Sequence, residues 1–207
     1  MIELWHCERS RSFRALWALE EMGLPYKLHL MTFPPRVHHK DYLALNPLGT
    51  IPLLIDGDQR LTESAAIPQY LATRYGPSPL AVAPDEPDYG AYLNWLHHGE
   101  ATLTFPQTIW LRYVLFDPDQ THAQVGEDYR IWFLKRLKML EATLSDGREF
   151  LVAGRFTMAD IVVSYAIQLA AVLKARDEIA PPVIAWSDRL TTRPAWQRAR
   201  AASVPGG

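Results

Sequence analysis

The chain has 207 residues, 48% of them hydrophobic, with one cysteine and a formal net charge of −2. That length supports one large or two small domains with ample core, and a lone cysteine excludes an intramolecular disulfide and fits a reducing compartment. Scattered rather than striped basic residues speak against a nucleic-acid partner, and no apolar run approaches the ~20 residues of a membrane span.

Met1 to His6 goes straight into a strand-like pattern, without the basic-then-apolar order of a secretory leader. A soluble cytoplasmic protein is therefore expected. Ile2 to Trp5 reads as the first strand, followed by a polar patch from Glu8 to Ser12. Phe13, Leu16, Trp17 and Glu20-Glu21 have helical spacing, stopped by Gly23 with Pro25 beyond it. Tyr26 to Leu30 reads as a second strand, and His38 to Leu45 as a short helix or turn. Pro52 to Ile55 is a third strand, with Asp56-Gly57-Asp58 turning into Arg60-Leu61. Glu63 to Tyr75 reads as a helix. The order β-α-β-(α)-β-β-α predicts a small four-stranded mixed sheet.

The pattern changes at Gly76. Residues 77–86 are proline-rich and aperiodic and read as a linker. Beyond it, long helical stretches are expected at about Asp88–Phe116, His122–Leu144, Thr157–Ala175 and Val183–Ala201, with breaks at Pro118 and Pro181-Pro182. The fold class is thus α/β plus all-α, with domains at 1–76 and 87–207. Thr157 with Asp160 three residues on forms a capping-box-like helix start, stapled by Phe156 and Ile161.

Five stretches together resemble the cytosolic glutathione transferases. They are Ser10-Arg11-Ser12-Phe13-Arg14 with Leu19 to Tyr26; Asn46 to Pro52; Glu63-Ser64; Gly154 to Asp160; and Arg193-Pro194-Ala195. Within that family the chain looks most like the bacterial and fungal branch with a Ser-Arg-Ser start. The resemblance implies a thioredoxin-like domain followed by a helical bundle, usually as a homodimer. It implies binding of glutathione as co-substrate and transfer of its thiol to small, largely apolar electrophiles.

Residue by residue, the resemblance implies a cis Ile51-Pro52 bond that exposes the backbone of Ile51, next to Thr50, to pair with glutathione like an added strand. Glu63 and Ser64, at a helix start, would take the ammonium and carboxylate of its γ-glutamyl end; locally the same residues also read as plain capping. Lowering a thiol pKa from about 8.5 by roughly two units takes about 2.7 kcal/mol of preferential thiolate stabilisation. Ser10 and Ser12, at the start of the first helix, are the candidate donors, with Ser10 heading the Ser-Arg-Ser start. An ungapped alignment puts Arg9 where plant-type members carry their catalytic serine and Arg11 where beta-type members carry a cysteine. Cys7 keeps a glutathione-dependent reductase or peroxidase as an alternative. An isomerase and a non-catalytic binding protein of the same fold are the others. Trp5, His97, Phe105, Trp110 and Tyr113 are the candidate electrophile-site residues, although aromatics at helical spacing commonly face a core. No metal site is expected, because His97-His98 has no second ligand set.

Overall fold

The first unit is built on β1 (Ile2–His6), whose apolar residues are buried from both sides. A computed structural model describes residues 1–117 and 122–204 of the chain. After β1 come α1 (Phe13–Met22), β2 (Tyr26–Leu30), α2 (Pro35–His38), a 3₁₀ turn at Lys40–Ala44, β3 (Leu53–Asp56), β4 (Gln59–Leu61) and α3 (Ala66–Arg74). The sheet order is β2-β1-β3-β4. β1 pairs parallel with β2, Ile2 opposite Tyr26, and antiparallel with β3, Trp5 opposite Leu53. β4 returns antiparallel to β3 through Gly57-Asp58.

α1 is buried at every position from Phe13 to Leu19, so it is clothed on several sides rather than along one stripe. It stops at Gly23, whose φ of 62° lies where a Cβ is disfavoured, while the Leu24 N–H reaches back to the Leu19 carbonyl at 3.1 Å. The chain units are divided by contact as Met1–Ala81 with the segment from Thr191 on, and Val82–Leu190.

The second unit is helical. It contains α4 (Tyr89–His97), a π-helical segment at His98–Thr104, α5 (Phe105–Leu115), α6 (Ala123–Arg136), α7 (Lys138–Leu144), α8 (Met158–Val172), a 3₁₀ turn at Arg176–Glu178, and α9 (Pro181–Thr191). α8 is its central helix, buried at twelve positions and packed against α4 and the π segment. Its start is fixed by Asp160, which is fully buried. Asp160 accepts the Thr157 N–H at 2.8 Å, the Thr157 hydroxyl at 3.2 Å and the Leu151 N–H at 3.0 Å, closing the expected capping box.

Several expectations shift. The helix expected from Glu63 begins only at Ala66, and the long helix expected over Asp88–Phe116 is interrupted by the π segment. The break expected at Pro118 lies outside the described residues. Pro181-Pro182 opens α9, where a missing N–H costs nothing. The helix expected over Val183–Ala201 is two helices, because extended Arg193 precedes Pro194, which starts α10 (Pro194–Ala202). Residues 87–207 were expected to form one helical domain, yet α10 packs on α1 and groups with the first unit. Phe13 and Trp196 meet edge to face at 5.8 Å. Arg193 makes two hydrogen bonds to the Glu21 carboxylate, at 2.6 and 2.9 Å, Arg198 reaches Glu20 at 2.7 Å, and Arg200 reaches Glu8 at 3.1 Å. Among the described residues no helix is long and apolar enough to cross a membrane.

Candidate functional site

The Asn46–Pro52 loop is tied down by a buried amide. Asn46 Nδ2 donates to the Thr50 carbonyl at 2.9 Å, and its Oδ1 accepts the Leu48 N–H at 3.1 Å, a local Asx turn. The Tyr42 hydroxyl donates to the same Thr50 carbonyl at 2.7 Å. Gly49 has φ 60°, and a Cβ there would lie 2.6 Å from the Arg36 Cβ, so only glycine fits this tight approach. The result is an exposed Thr50, a half-buried Ile51 and a cis Ile51-Pro52 peptide. No backbone hydrogen bond of Ile51 is found among the described residues. Its side chain packs on a small core of Trp5, Tyr42 and Leu53.

Glu63 and Ser64 precede α3 rather than belonging to it. The Glu63 carbonyl accepts the Ala66 and Ile67 N–H groups at 3.1 Å each, while its side chain is exposed. Ser64 is buried and does not cap α3; its hydroxyl accepts a hydrogen bond from Arg14 Nη1 at 2.8 Å. Arg14, in the first turn of α1, is itself fully buried. One helix start therefore carries both the Ser10-Ser12 hydroxyls and the guanidinium that holds Ser64. Sequence reasoning gave Arg14 no role, although it is the only charge in the apolar run Phe13–Leu19, and a cation there needs a buried partner.

The two serines differ. Ser12 is fully buried, and its Oγ lies 2.7 Å from His6 Nδ1 and accepts the Cys7 N–H at 3.3 Å. Ser10 is partly exposed; its hydroxyl donates to the Cys7 carbonyl at 2.8 Å and lies 2.6 Å from Ser12 Oγ. Ser12 is thus enclosed, and Ser10 is the hydroxyl a ligand can reach. Arg9 is exposed, with φ 56°, and pairs with Glu8 at 3.4 Å. Cys7 is buried, and that burial pushes its thiol up to about 11, the opposite of what a nucleophilic cysteine needs. Burial likewise pushes His6 down to about 4, outweighing the pull of Glu8, so its imidazole is neutral at physiological pH.

The five residues expected at the electrophile site fall in different settings. In the first unit, Trp5 is a core residue whose ring stacks on His29 at 4.2 Å. In the second unit, Trp110 is buried, Tyr113 half-buried with its ring tilted against that of His122 at 5.9 Å, and His97 and Phe105 exposed. Trp5 and Trp110 are both buried in core packing. Among the described residues no group of three His, Cys, Asp or Glu side chains is gathered to hold a metal ion.

Comparison with known proteins gives the same fold a family. The profile described as "Glutathione S-transferase, N-terminal domain" matches residues 10–74, and that of the C-terminal domain matches residues 133–189. Glutathione S-transferase 3 of Zea mays is 32% identical over 204 residues, covering 91% of this chain and 88% of that protein. Glutathione S-transferase 3 of Schizosaccharomyces pombe is 36% identical over 115 residues, which span 56% of this chain and about half, 47%, of that relative. Among solved structures, the glutathione transferase URE2P6 from Phanerochaete chrysosporium, in complex with oxidized glutathione, superposes with a TM-score of 0.84 at 29% identity. That match covers 98% of this chain and 97% of the other. The thioredoxin-like sheet unit, the helical unit and these relatives together establish that the chain belongs to the glutathione S-transferase family.

Proposed function

We propose that the chain binds glutathione and catalyses attack of its thiolate on small, largely apolar electrophiles. The observation that carries this reading is the start of α1, which presents the reachable hydroxyl of Ser10 and, one turn on, the Arg14 guanidinium that holds Ser64 at 2.8 Å. In this reading Thr50, Ile51 and Pro52 offer the backbone edge that pairs with the cysteinyl part of the tripeptide. Ser64 and Glu63 take its α-carboxylate and ammonium, the N-terminus of α3 adding its partial positive charge. The Ser10 hydroxyl then turns from the Cys7 carbonyl to the sulfur and stabilises the thiolate. Glutathione is the bound species in the complex of the URE2P6 neighbour.

Among the candidate electrophile residues, exposed His97 and Phe105 and half-buried Tyr113 are the ones a second substrate can touch. Assembly as a homodimer and a cytoplasmic location complete the proposal, the first measured by light scattering. Retention on immobilised glutathione tests binding. Conjugation across a panel of aryl halides, epoxides and enals, with wild type against Ser10→Ala, tests catalysis. A Ser10→Ala variant that conjugates at the wild-type rate eliminates Ser10, and binding without turnover of any electrophile leaves a binding protein instead.

A further inference from the structure

Beyond the thiol donor itself, the hydroxyl chain behind it has a direction, and following its protons leads to a buried residue with no role so far. Ser10 Oγ lies 2.8 Å from the Cys7 carbonyl, which can only accept, so the single Ser10 proton is committed there. The 2.6 Å contact between the two serine oxygens must then use the proton of Ser12. Ser12, having given its proton to Ser10, can only accept at its 2.7 Å contact with His6 Nδ1. Nδ1 must therefore carry a hydrogen, and the neutral ring leaves Nε2 bare. Nε2 is buried with no hydrogen-bond partner among the described residues, so this tautomer leaves a bare acceptor there rather than an unpaired N–H. The reverse order, with Ser12 donating to His6, forces Ser10 to donate to Ser12 and leaves two acceptor oxygens, Ser10 Oγ and the Cys7 carbonyl, facing each other at 2.8 Å.

We propose that His6 is a positioning residue, whose Nδ1–H fixes the order His6→Ser12→Ser10 and thereby keeps the Ser10 proton from being spent on Ser12, so that it can turn to the glutathione thiolate. Donation from Ser12 and from the Ser12 N–H, 3.3 Å away, occupies the lone pairs of Ser10 Oγ. What remains for Ser10 is to donate. When the thiolate arrives, the hydroxyl turns from the Cys7 carbonyl to sulfur, and the thiol's own proton leaves to solvent. With the chain reversed, Ser10 would point its proton inward at Ser12 and meet the thiolate with a lone pair. The charged and titratable groups around His6 are Glu8, paired with Arg200 of α10, and the thiol of Cys7. Burial keeps the imidazole neutral, so the device works by tautomer rather than by charge.

This inference rests on the glutathione-transferase reading, and two measurements separate their fates. The first needs no glutathione. Long-range ¹H–¹⁵N spectra of the full chain labelled at histidine should show the neutral ring of His6 protonated at Nδ1, and an Nε2–H tautomer overturns the inference whatever the protein binds. The second is an ultraviolet titration of the glutathione thiolate on saturated protein. His6→Leu should raise the bound thiol pKa by about one unit, a tenfold lower thiolate fraction below that pKa, while affinity at low pH, where the thiol is neutral, changes less than about twofold. His6→Asn, whose amide N–H can reach the Nδ1 position, should restore the wild-type titration. A His6→Leu protein with the wild-type thiol pKa, or an Asn variant as impaired as Leu, overturns it. If His6→Leu does not fold, Ser12→Ala cuts the same chain by one oxygen and must show the same shift. If the unaltered chain shows no glutathione binding at millimolar concentration, the functional reading fails and the tautomer measurement still decides the proton order.

Discussion

Removing the guanidinium of Arg14 tests whether Ser64 is positioned by it or merely buried beside it. The side chain is fully buried, and its Nη1 donates to Ser64 Oγ at 2.8 Å. A hydrogen bond to a charged group in such a place contributes about 1.5–3 kcal/mol. Arg14→Met keeps most of the stem volume but removes the charge and leaves Ser64 without this donor, and Ser64→Ala leaves the buried guanidinium short of an acceptor. Each should cost about 2–3 kcal/mol, which for a chain of this length lowers the melting temperature by roughly 4–12 °C. The double variant should cost about 2 kcal/mol less than the sum, because both single changes break the same contact. Urea unfolding of the four proteins measures this coupling, and calorimetry with glutathione should show the affinity falling along with it. A coupling below about 0.5 kcal/mol would mean that Arg14 and Ser64 are independent and that the helix start does not hold Ser64.

Asn46→Ala should cost about 2 kcal/mol by removing one of the two donors to the Thr50 carbonyl and the acceptor of the Leu48 N–H, and it should weaken glutathione binding, seen together by thermal shift with and without ligand. Asp160→Ala removes three donated hydrogen bonds at a fully buried site and should cost about 3 kcal/mol, while leaving the thiolate chemistry of the surviving folded protein intact; unchanged stability refutes the capping account. Cys7 should resist a small alkylating reagent at pH 8 in the native protein and react once unfolded, and Cys7→Ala should conjugate at the wild-type rate; rapid native labelling would revive the reductase alternative. His6 has a folded pKa near 4 against 6.5 unfolded, so the unfolded chain binds more protons between those values. Stability should therefore rise with pH from about 4 to 6.5, by about 3 kcal/mol, and lose that share of its slope in His6→Asn; parallel profiles for the two proteins refute it.

Much of the first unit was legible because its signals are local. β2 runs over the residues that the apolar pattern marked, and α1 stops at the glycine that the pattern named. Candidate residues could be named from the sequence, but not the contacts they make. Thr62-Glu63-Ser64 before an apolar run reads the same whether the serine caps its own helix or receives a guanidinium from fifty positions upstream. Ser10 and Ser12 look equivalent in sequence, yet the turn between them leaves one partly exposed and encloses the other against His6. Trp5 shows the same limit on a strand, since alternation says which face it takes and not whether a ring such as His29 closes over it. α10 was read only as the tail of one helix over Val183–Ala201, and an amphipathic helix does not name its partner. The pairing of Arg193, Arg198 and Arg200 with Glu21, Glu20 and Glu8 becomes apparent only once α1 and α10 are seen side by side.

The return of α10 to α1 bears on how the protein is made. Synthesis runs from the N-terminus, so the sheet and α1 leave the ribosome well before α10, with Phe13 and three glutamates uncovered on the side that Trp196 and three arginines will occupy. That side stays open while the whole helical unit is translated, and the contacts that close it join residues 172 to 192 positions apart. The usual sequence in which an N-terminal domain finishes folding before the next begins is thereby inverted. The helical insert, contiguous in sequence, can settle during translation, whereas the unit that carries Ser10 is sealed only once α10 has emerged. A ribosome stalled anywhere before Trp196 should hold a nascent chain whose first eighty residues remain open to chaperones and proteases.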